Sequence, residues 1–388
     1  MEYKLTTNTF DKREVKSAID VIKSGKLTMG KKVDQFEKKF ARKFGRKYGI
    51  MVNSGSSANL ISIASLFYKK QNPLKAGDEV IVPALAWSTT YFPLIQYGLK
   101  IKLCDIKINT LNVDIESLKK KITKKTKIIV AVSILGNPSY LEELKKICDK
   151  KKIILFEDNC ESLGAKIGKK NTGAYGLLST SSFFFSHHIS TGEGGMITTD
   201  SKEIYEVCRS LRAHGWTRDI KNSNIYKKKK SNFHEQYRFI LPGYNVRPQE
   251  INAAMGLVQL KKFDKMLKIR RDNAKKFVKI FKNNPNFIIQ EENGYSSWFA
   301  FTMIVRPKKN INREKILRLL KKHKIHYRTI TGGNIADHDV IKFFKLSKTE
   351  LKLPNSSYIH RNGFFIGNFP KDLSRELSNL RKVLNKIN

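Results

Sequence analysis

The sequence predicts an α/β protein with two parts, a large domain built on a mostly parallel mixed sheet and a smaller C-terminal α+β domain. Through the first 250 residues, short apolar runs alternate with amphipathic helical segments. Beyond about residue 290 the pattern changes to strand, helix and strand again. Buried strands that alternate with helices are typical of parallel sheets, because the connecting helices cover both faces. We therefore expect the large domain at 1–250, a connecting helix at 251–285 and the small domain at 286–388.

Helices are predicted where apolar residues recur with a spacing of three or four, as at Leu60, Ile61, Ala64 and Phe67. These segments lie at 11–24, 31–44, 58–70, 115–122, 140–149, 249–281, 313–323 and 373–387. Strands are predicted from short runs rich in apolar and β-branched residues. They lie at 48–53, 79–83, 101–105, 128–132, 153–157, 179–185, 196–199, 298–305 and 325–329. The polar stretch 221–232 predicts a loop.

The charge balance is strongly basic. Lys and Arg number 75 against 34 Asp and Glu, so the formal net charge of the 388 residues is +41. The lysines are spread along the chain, with clusters at 119–121, 150–152 and 227–230, and no nucleic-acid-binding motif accompanies them. A general lysine bias explains this pattern best. An anion-attracting field remains the alternative, and it would also steer a nucleotide-linked substrate.

Membrane insertion, secretion and metal binding are not expected. The first residues carry no apolar core typical of a secretion signal, and the apolar runs, such as 128–135, are far shorter than the roughly 20 residues of a membrane span. The four cysteines are widely spaced and form no CxxC pair: Cys104, Cys148, Cys160 and Cys208. They predict reduced thiols in a cytoplasmic protein rather than a zinc site or a disulfide framework.

A Gly/Ser turn follows the first predicted strand. The segment 53–59 reads Asn-Ser-Gly-Ser-Ser-Ala-Asn and leads from the strand into a helix. Free backbone N–H groups and the helix dipole at such a turn favour a phosphate group. Gly55, Ser56 and Ser57 are therefore candidate phosphate-binding residues, although the same pattern also serves as an ordinary helix cap.

Acidic residues follow the strand predicted at 153–157. The segment 156–161 reads Phe-Glu-Asp-Asn-Cys-Glu and lies at the carboxyl end of a buried strand, where α/β folds bind ligands. A carboxylate there can keep the ring nitrogen of a pyridoxal cofactor protonated, which the ring needs in order to act as an electron sink. Asp158 is the candidate for this role, and helix capping is its alternative.

Two adjacent histidines separate an aromatic run from a glycine-rich turn. The segment 182–195 reads Ser-Phe-Phe-Phe-Ser-His-His-Ile-Ser-Thr-Gly-Glu-Gly-Gly. A single histidine is usually structural, but a pair at a strand end directly before such a turn indicates a functional loop. This is the most specific of the three motifs.

Together these segments resemble the nucleotide-sugar aminotransferases, a family of fold type I enzymes that depend on pyridoxal phosphate. The resemblance extends to 24–30 (Ser-Gly-Lys-Leu-Thr-Met-Gly), 82–84 (Val-Pro-Ala) and 243–247 (Gly-Tyr-Asn-Val-Arg), and so covers the large domain from end to end. It implies the type I fold, pyridoxal or pyridoxamine phosphate as cofactor, and glutamate as amino donor. It also implies a homodimer whose subunits share their active sites.

One position departs from the family's pattern. The family's aminotransferases carry a lysine five residues before the glycine-rich turn, which binds the cofactor covalently, and here that position is His187. An imidazole cannot make this bond, so the cofactor is expected to bind noncovalently. The same change marks the family's 3-dehydratase branch. The stretches 83–91, 214–218 and 241–248 resemble members that act on GDP-4-keto-6-deoxy-D-mannose, which provides colitose for lipopolysaccharide O-antigen.

The resemblance implies a role for each candidate residue. His187 is expected to be the catalytic base and then acid, because an imidazole with an ordinary pKa of about 6.5 exchanges protons near neutral pH. The residues expected to hold the cofactor are Gly55, Ser56, Ser57, Trp87 on the ring face, Asp158 at the ring nitrogen, Glu161 near the ring hydroxyl, Ser182, and Asn245 of the partner subunit. The residues considered for the sugar or diphosphate are His188, His214, Arg218 and Arg328.

Two alternative functions stay open. An amino-sugar-forming aminotransferase would need a lysine at position 187 or close by, and Lys169 and Lys170 lie outside the motif. A noncatalytic protein of this fold that binds nucleic acid or a metabolite would use the positive charge, but it would not need Asp158, Glu161 and the glycine-rich turn together. A related CDP-hexose 3-dehydratase carries an iron–sulfur cluster on clustered cysteines, which the dispersed cysteines here disfavour.

Overall fold

The computed structural model describes residues 2–218, 220, 223, 225–227, 232–235, 237–309 and 311–387. Much of the loop predicted at 221–232, including the lysines at 228–230, lies outside these residues. The described helices are α1 (Lys12–Lys23), α2 (Lys31–Lys43), α3 (Gly55–Phe67), α4 (Ser88–Gln96), α5 (Ile115–Lys121), α6 (Leu141–Lys151), α7 (Lys202–Arg212), α8 (Asn232–Glu235), α9 (Glu250–Phe281), α10 (Arg313–Lys322), α11 (Pro354–Asn362) and α12 (Ser374–Leu384). Short 3-10 turns lie at Ile134–Gly136, Ile330–Gly332, Ile335–Asp337, Asp339–Phe344 and Asn385–Ile387.

The strands form one large sheet, one small sheet and a hairpin. They are β1 (Tyr48–Val52), β2 (Glu79–Pro83), β3 (Lys100–Cys104), β4 (Thr126–Val132), β5 (Ile154–Asp158), β6 (Lys166–Ile167), β7 (Lys170–Asn171), β8 (Leu178–Ser182), β9 (Gly195–Thr199), β10 (Phe287–Ile289), β11 (Ala300–Val305), β12 (Tyr327–Arg328) and β13 (Gly363–Gly367). Strands β6 and β7 pair with each other, and Lys166 of β6 also bridges to Tyr295.

The large sheet has seven strands in the order β1-β9-β8-β5-β4-β2-β3. Strands β8, β5, β4, β2 and β3 run parallel to one another, and β9 runs antiparallel to both β1 and β8. The register places Asp158 of β5 beside Val132 of β4 and Thr180 of β8. The carboxyl ends of these parallel strands therefore meet at one edge. This arrangement confirms the predicted mostly parallel mixed sheet.

Burial explains why several strands of the large sheet, such as β1 and β2, are mostly apolar. All five residues of β2 are buried, and so are the last four of β1 and of β5. Two helices begin with their own caps: Asp11 and Glu14 form a capping box on α1, and Ser54 caps α3. The predicted strand at 179–185 ends at Ser182, because the chain leaves its pairing with β9 there and turns into the 183–194 loop.

The small sheet is antiparallel in the order β10-β11-β13-β12. Its core includes the end of α9, through Phe277 and Phe281, and residues of α10 and α12. Tyr3 joins this core, and its hydroxyl donates to the Gly367 carbonyl over 2.7 Å. The start of the chain thus lies against the small sheet, and the residue limits given above for the two domains stay a prediction. Within the described ranges, none of the helices combines the length and hydropathy that a bilayer crossing requires.

Candidate active site

The Gly/Ser turn and the end of β8 lie in close contact. The Ser54 hydroxyl accepts a hydrogen bond from the Ser57 amide over 3.0 Å, which starts helix α3. A methyl group added at Gly55 would lie 2.6 Å from Ser182 Cβ, so only glycine permits this approach. The Ser56 hydroxyl is hydrogen-bonded to the Thr89 hydroxyl over 3.0 Å. The first helical turn leaves backbone amides without an intrahelical partner, which suits a phosphate.

Asp158 is the centre of a buried network at the end of β5. Its Oδ2 accepts from Asn59 Nδ2 over 2.9 Å and from the Thr90 hydroxyl over 2.7 Å, and its Oδ1 accepts from the Cys160 amide over 3.2 Å. Asn59 in turn accepts from the Thr180 hydroxyl over 2.7 Å. A carboxylate accepts roughly four hydrogen bonds, so these donors hold Asp158 in place and leave room for one more donor, such as a ring N–H.

Glu161 follows on the same loop. Its Oε2 accepts from the Leu135 amide over 2.9 Å. Burial raises the pKa of Glu161 to about 7, and the charge of Asp158 adds to this effect although the Leu135 hydrogen bond opposes it. Near neutral pH a part of the molecules therefore carries a protonated Glu161, which can donate as well as accept a hydrogen bond.

His187 lies in the loop between β8 and β9 with its ring partly exposed. Its ring centre is 5.1 Å from that of Phe299 and 6.0 Å from that of Phe184. Nδ1 is buried without a hydrogen-bond partner, which leaves Nε2 as the nitrogen open to the surroundings. Burial, and then the cation of Arg270, lower the pKa of His187 to about 4. The ordinary value assumed from the sequence is therefore wrong here, and at neutral pH the imidazole is in its proton-accepting form.

His188 is buried, in contrast to its neighbour. Its Nε2 donates to the Ser297 carbonyl over 3.1 Å, and its Nδ1 is buried without a partner. Burial, and then the cation of Arg270, hold its pKa well below the ordinary histidine value. The structure shows it anchored to Ser297, and its contact with a substrate stays a prediction.

Trp87 is 57% exposed, directly before helix α4, so it is not a core residue. A methyl group built on Gly332, in a turn next to the small sheet, would lie 3.9 Å from the Trp87 ring. The backbone of Leu85 also bridges to Asn334 in the same region. The indole thus lies where the two parts of the molecule meet, with a face available to a ligand.

The other predicted residues lie further along the chain and on other elements. His214 donates its amide to the Tyr244 carbonyl over 2.7 Å, and the guanidinium of Arg218 stacks on Trp216 at 4.6 Å. Asn245 is exposed, and its Oδ1 accepts from Arg247 Nε over 2.9 Å.

Backbone contacts connect only part of this group to the Gly/Ser turn. The Asn53 amide donates to the Val246 carbonyl over 3.1 Å, so the segment that carries Asn245 borders the turn. Arg328 ends β12 as an exposed residue, and its described backbone pairing is with Phe365 of the small sheet. The structure therefore brings Arg328 into none of the contacts described above.

Several residues of this site were not found from the sequence. Asn59 and Thr90 bind Asp158, and both lie within motifs already singled out, so their position next to the turn and to Trp87 was a usable signal. Phe299 and Arg270, which contact or face the histidine pair, lie far along the chain in a predicted strand and a predicted helix, and nothing in these local patterns indicates that they approach the histidines. In the described residues, no group of three His, Cys, Asp or Glu side chains could hold a metal ion.

These residues fit a phosphorylated pyridoxal-type cofactor. The glycine at position 55 leaves space for the close approach of α3 and β8 at a helix N-terminus, which suits the phosphate. Asp158 keeps an acceptor site for a ring nitrogen. The Nδ1 of His187 has no hydrogen-bond partner in the protein, so this side chain is not engaged in a protein hydrogen bond through that atom. The position of the family's lysine holds no amine, so any such cofactor is held noncovalently.

The model of the DegT/DnrJ/EryC1/StrS aminotransferase family matches residues 8–387. The chain belongs to this family. The match spans nearly the whole chain, and it confirms the resemblance inferred from the turn, the acidic motif and the histidine loop.

One similar protein and two similar crystal structures indicate members of the family that this chain resembles strongly. A GDP-4-keto-6-deoxy-D-mannose 3-dehydratase from Escherichia coli O55:H7 (strain CB9615 / EPEC) is 46% identical over 387 residues, 99% of this chain and 100% of that protein. The crystal structure of GDP-4-keto-6-deoxymannose-3-dehydratase with a trapped PLP-glutamate geminal diamine matches with a TM-score of 0.95 and 46% identity, covering 99% and 100% of the two chains. A histidine-to-asparagine mutant of the enzyme of that name, with bound GDP-perosamine, matches equally well, with a TM-score of 0.95, 46% identity and the same coverage.

Proposed function

We propose that this protein is a pyridoxamine-phosphate-dependent 3-dehydratase. It removes the C3 hydroxyl of GDP-4-keto-6-deoxy-D-mannose to give a 3,6-dideoxy-4-keto sugar, a precursor of the kind used for colitose in lipopolysaccharide O-antigen. The observation that carries this conclusion is a histidine at position 187 in an otherwise complete family site. The name of the 46% identical relative and the GDP-sugar and PLP–glutamate in the similar crystal structures support it. Glutamate restores the amine form of the cofactor.

The residues around the β8 end and the β5 end would hold the cofactor. When bound, pyridoxamine phosphate supplies the amine that condenses with the C4 ketone and a ring that withdraws electrons from the reacting carbon. Asp158 binds the ring nitrogen, Glu161 lies at the ring hydroxyl, and Trp87 covers a ring face. The phosphate is held by the turn and its neighbours, through Gly55, Ser56, Ser57, Ser182 and Asn245 of the partner subunit.

His187 moves the protons. Its neutral imidazole accepts one at Nε2, because Nδ1 is closed off by the protein. The protonated ring can then donate to the departing C3 oxygen, so that water leaves. Because no lysine amine stands at this position, transfer of an amino group to the sugar lacks its usual proton carrier. This is why dehydration is favoured over the aminotransferase alternative.

The substrate and the assembly complete the proposal. His214 and Arg218 lie on the loop that pairs with the segment carrying Asn245. A guanidinium there can bind the diphosphate, whereas Arg328 and His188 are the weaker assignments. We infer a cytoplasmic homodimer, and the division of each subunit at 1–250, 251–285 and 286–388. Nucleic acid is not an expected partner.

Product analysis by mass spectrometry tests the proposal. The purified protein is incubated with GDP-4-keto-6-deoxy-D-mannose, pyridoxal phosphate and glutamate. The expected product lacks one oxygen atom, and 2-oxoglutarate and ammonia accumulate with it. An amino sugar would instead identify an aminotransferase. Unchanged substrate, in a preparation that binds the cofactor, would reject this substrate and therefore the proposed function.

A further inference from the structure

Arg270 is a buried cation in the middle of helix α9. It is only 2% exposed, and Nη1 donates to the carbonyls of Phe299, over 3.1 Å, and of Asn368. Its Nε is buried without a partner, and among the described residues it forms no ion pair with a carboxylate. Burial lowers the pKa of Arg270 to about 10. A buried charge is costly unless it is compensated, so its placement calls for an explanation.

Arg270 binds the segment 297–299, called the wall below, which packs against the histidine pair. The Phe299 ring lies 5.1 Å from the His187 ring at 68° and 5.7 Å from the His188 ring at 57°. Two residues earlier, the Ser297 carbonyl accepts from His188. Phe299 thus contacts both histidines, and Ser297 contacts His188.

The backbone of residues 297–299 has a conformation that the surrounding residues must stabilise. The buried Trp298 has a φ of +48°, a left-handed conformation that a bulky side chain rarely adopts. Asn368 Nδ2 donates to the Trp298 carbonyl over 2.7 Å and to the Arg270 carbonyl over 3.1 Å. The Phe299 amide donates to Leu135, whose own amide binds Glu161. Arg270 is therefore joined to the wall directly and through Asn368.

We propose that Arg270 is a positioning residue for His187, which fixes the Phe299 wall behind that imidazole and faces it with an uncompensated positive charge. The inference rests on the proposed role of His187 as the proton carrier. The titratable groups around this imidazole are His188 on its own loop, Arg270 on α9, and Glu161, which acts through the Leu135 amide. The 297–299 segment adds no charge.

The charge would serve the second proton transfer, in which His187 acts as the acid, at some cost in its strength as a base in the first. A cation near His187 favours the neutral ring, which is the form that accepts a proton. Once the ring is protonated, the same cation repels it, and the imidazolium becomes a stronger acid toward the departing oxygen. A carboxylate beside Arg270 would cancel both effects, which explains why carbonyl oxygens rather than an acid bind it.

The test compares Arg270→Gln with Arg271→Gln. Arg271 is the next residue of α9 and donates to the Ser296 carbonyl, but it is paired with Glu292 over 2.6 Å. Histidine-labelled full-length protein is titrated by NMR without substrate, and the His187 signals are identified by their loss in His187→Asn. We expect Arg270→Gln to raise the His187 midpoint by about one pH unit or more, and Arg271→Gln to leave it unchanged. An unchanged midpoint in Arg270→Gln, or equal shifts in both, overturns the charge role.

A second variant tests the wall and guards against failure of Arg270→Gln to fold. Phe299→Leu keeps the cation but removes the ring. It should lower kcat for dehydration at least tenfold, with KM and pyridoxamine phosphate affinity nearly unchanged. A kcat of Phe299→Leu equal to that of the wild type would overturn the positioning role of Arg270, which acts through Phe299. Because the titration needs no turnover, a shifted midpoint in a protein that fails to dehydrate any sugar would reject the proposed function and leave the placement of Arg270 standing.

Discussion

At the scale of single residues, the environment of His187 decides how its chemistry works. Two aromatic rings and a buried arginine lie around the imidazole. The ring therefore stays neutral even when the pH falls well below the physiological value. A pKa of about 4 makes it a weaker base than a free histidine but a stronger acid after protonation. The loss of the family's lysine therefore leaves a residue that can take a proton and readily return it.

His187→Asn should abolish dehydration without releasing the cofactor. We expect a fall in kcat of about 10²–10⁴, because general acid–base catalysis contributes that much. Pyridoxamine phosphate affinity, measured from its absorbance on titration, should change little, since no covalent bond involves this position. His326→Asn is the control, because that exposed histidine lies near the start of β12, away from the site. Loss of cofactor binding in His187→Asn would contradict a purely chemical role.

Glu161 should make the stability of the cofactor-free protein depend on pH. Its pKa in the folded protein, about 7, lies above the ordinary value of 4.5, so between these values the folded state binds more protons than the unfolded state. Stability contributed by this group is therefore lost as pH rises through that window. Glu161→Gln keeps the acceptor for the Leu135 amide and removes the titration.

The measurement is the Tm difference between Glu161→Gln and the wild type from pH 4.5 to 8. The Tm of the variant minus the Tm of the wild type should increase as the pH rises to about 7 and should then stay constant. Glu314→Gln, at an exposed position in the first turn of α10, serves as the control and should give a flat difference. A difference that is flat for Glu161→Gln as well would show that this carboxyl titrates normally.

At the scale of elements, helix α2 depends on a residue far away in the chain. Its first residue follows Gly30, which has no side chain to cap it. Instead the Glu250 carboxylate, at the start of α9, accepts from the amides of Gly30, Lys32 and Val33 over 2.7 to 2.9 Å. This buried acid accepts hydrogen bonds from the free N–H groups of α2, and its negative charge interacts favourably with the positive end of the helix dipole.

Glu250→Ala should destabilise the protein by about 1–3 kcal/mol, the range for leaving buried donors without an acceptor. Glu250→Gln should lose less, because an amide oxygen still accepts. Urea unfolding followed by circular dichroism measures both. Glu116→Ala, in the exposed first turn of α5, is the comparison and should change the free energy of unfolding by much less. Equal losses of unfolding free energy in the two alanine variants would show that the Glu250 contacts stabilise the protein no more than an exposed carboxylate does.

At the scale of the whole molecule, the candidate site lies at the carboxyl edge of the large sheet, next to the turn that carries Gly332. The opposite edge carries a groove of about 1110 Å³ at the starts of β4 and β5, lined by six lysines: Lys69, Lys75, Lys124, Lys127, Lys151 and Lys152. Positive charge is thus placed away from the site as well, which agrees with a general lysine bias better than with a dedicated substrate field.

The proposed homodimer with shared active sites predicts that two inactive variants restore each other. A mixed dimer of His187→Asn and Asn245→Ala would contain one site with both changes and one with neither. After mixing and reassociation, about a quarter of wild-type activity should return if subunits pair at random in a two-fold dimer. Each variant reassociated alone is the control. No recovery, with mixed dimers demonstrated by mass spectrometry, would place Asn245 in the site of its own subunit.

Local patterns along the chain were enough to predict the fold class, the cofactor motifs and the substitution at position 187. These features are local: helical and strand periodicity, a turn of seven residues, and an acid after a strand depend on neighbours in the chain. Strand 79–83 was predicted to its last residue, whereas α4, with Pro93 inside it, was not predicted as a helix. Local preference is a poor guide where packing overrides it.

The difference between the two histidines depends on three-dimensional packing. Both are imidazoles in one motif, yet one opens toward the site and the other is anchored to Ser297. The lowered pKa of His187, the wall formed by Phe299 and the buried Arg270 come from segments more than eighty residues away, joined by packing. Burial and charge act through space, so the protonation state of this site depends on contacts that no short stretch of the sequence contains.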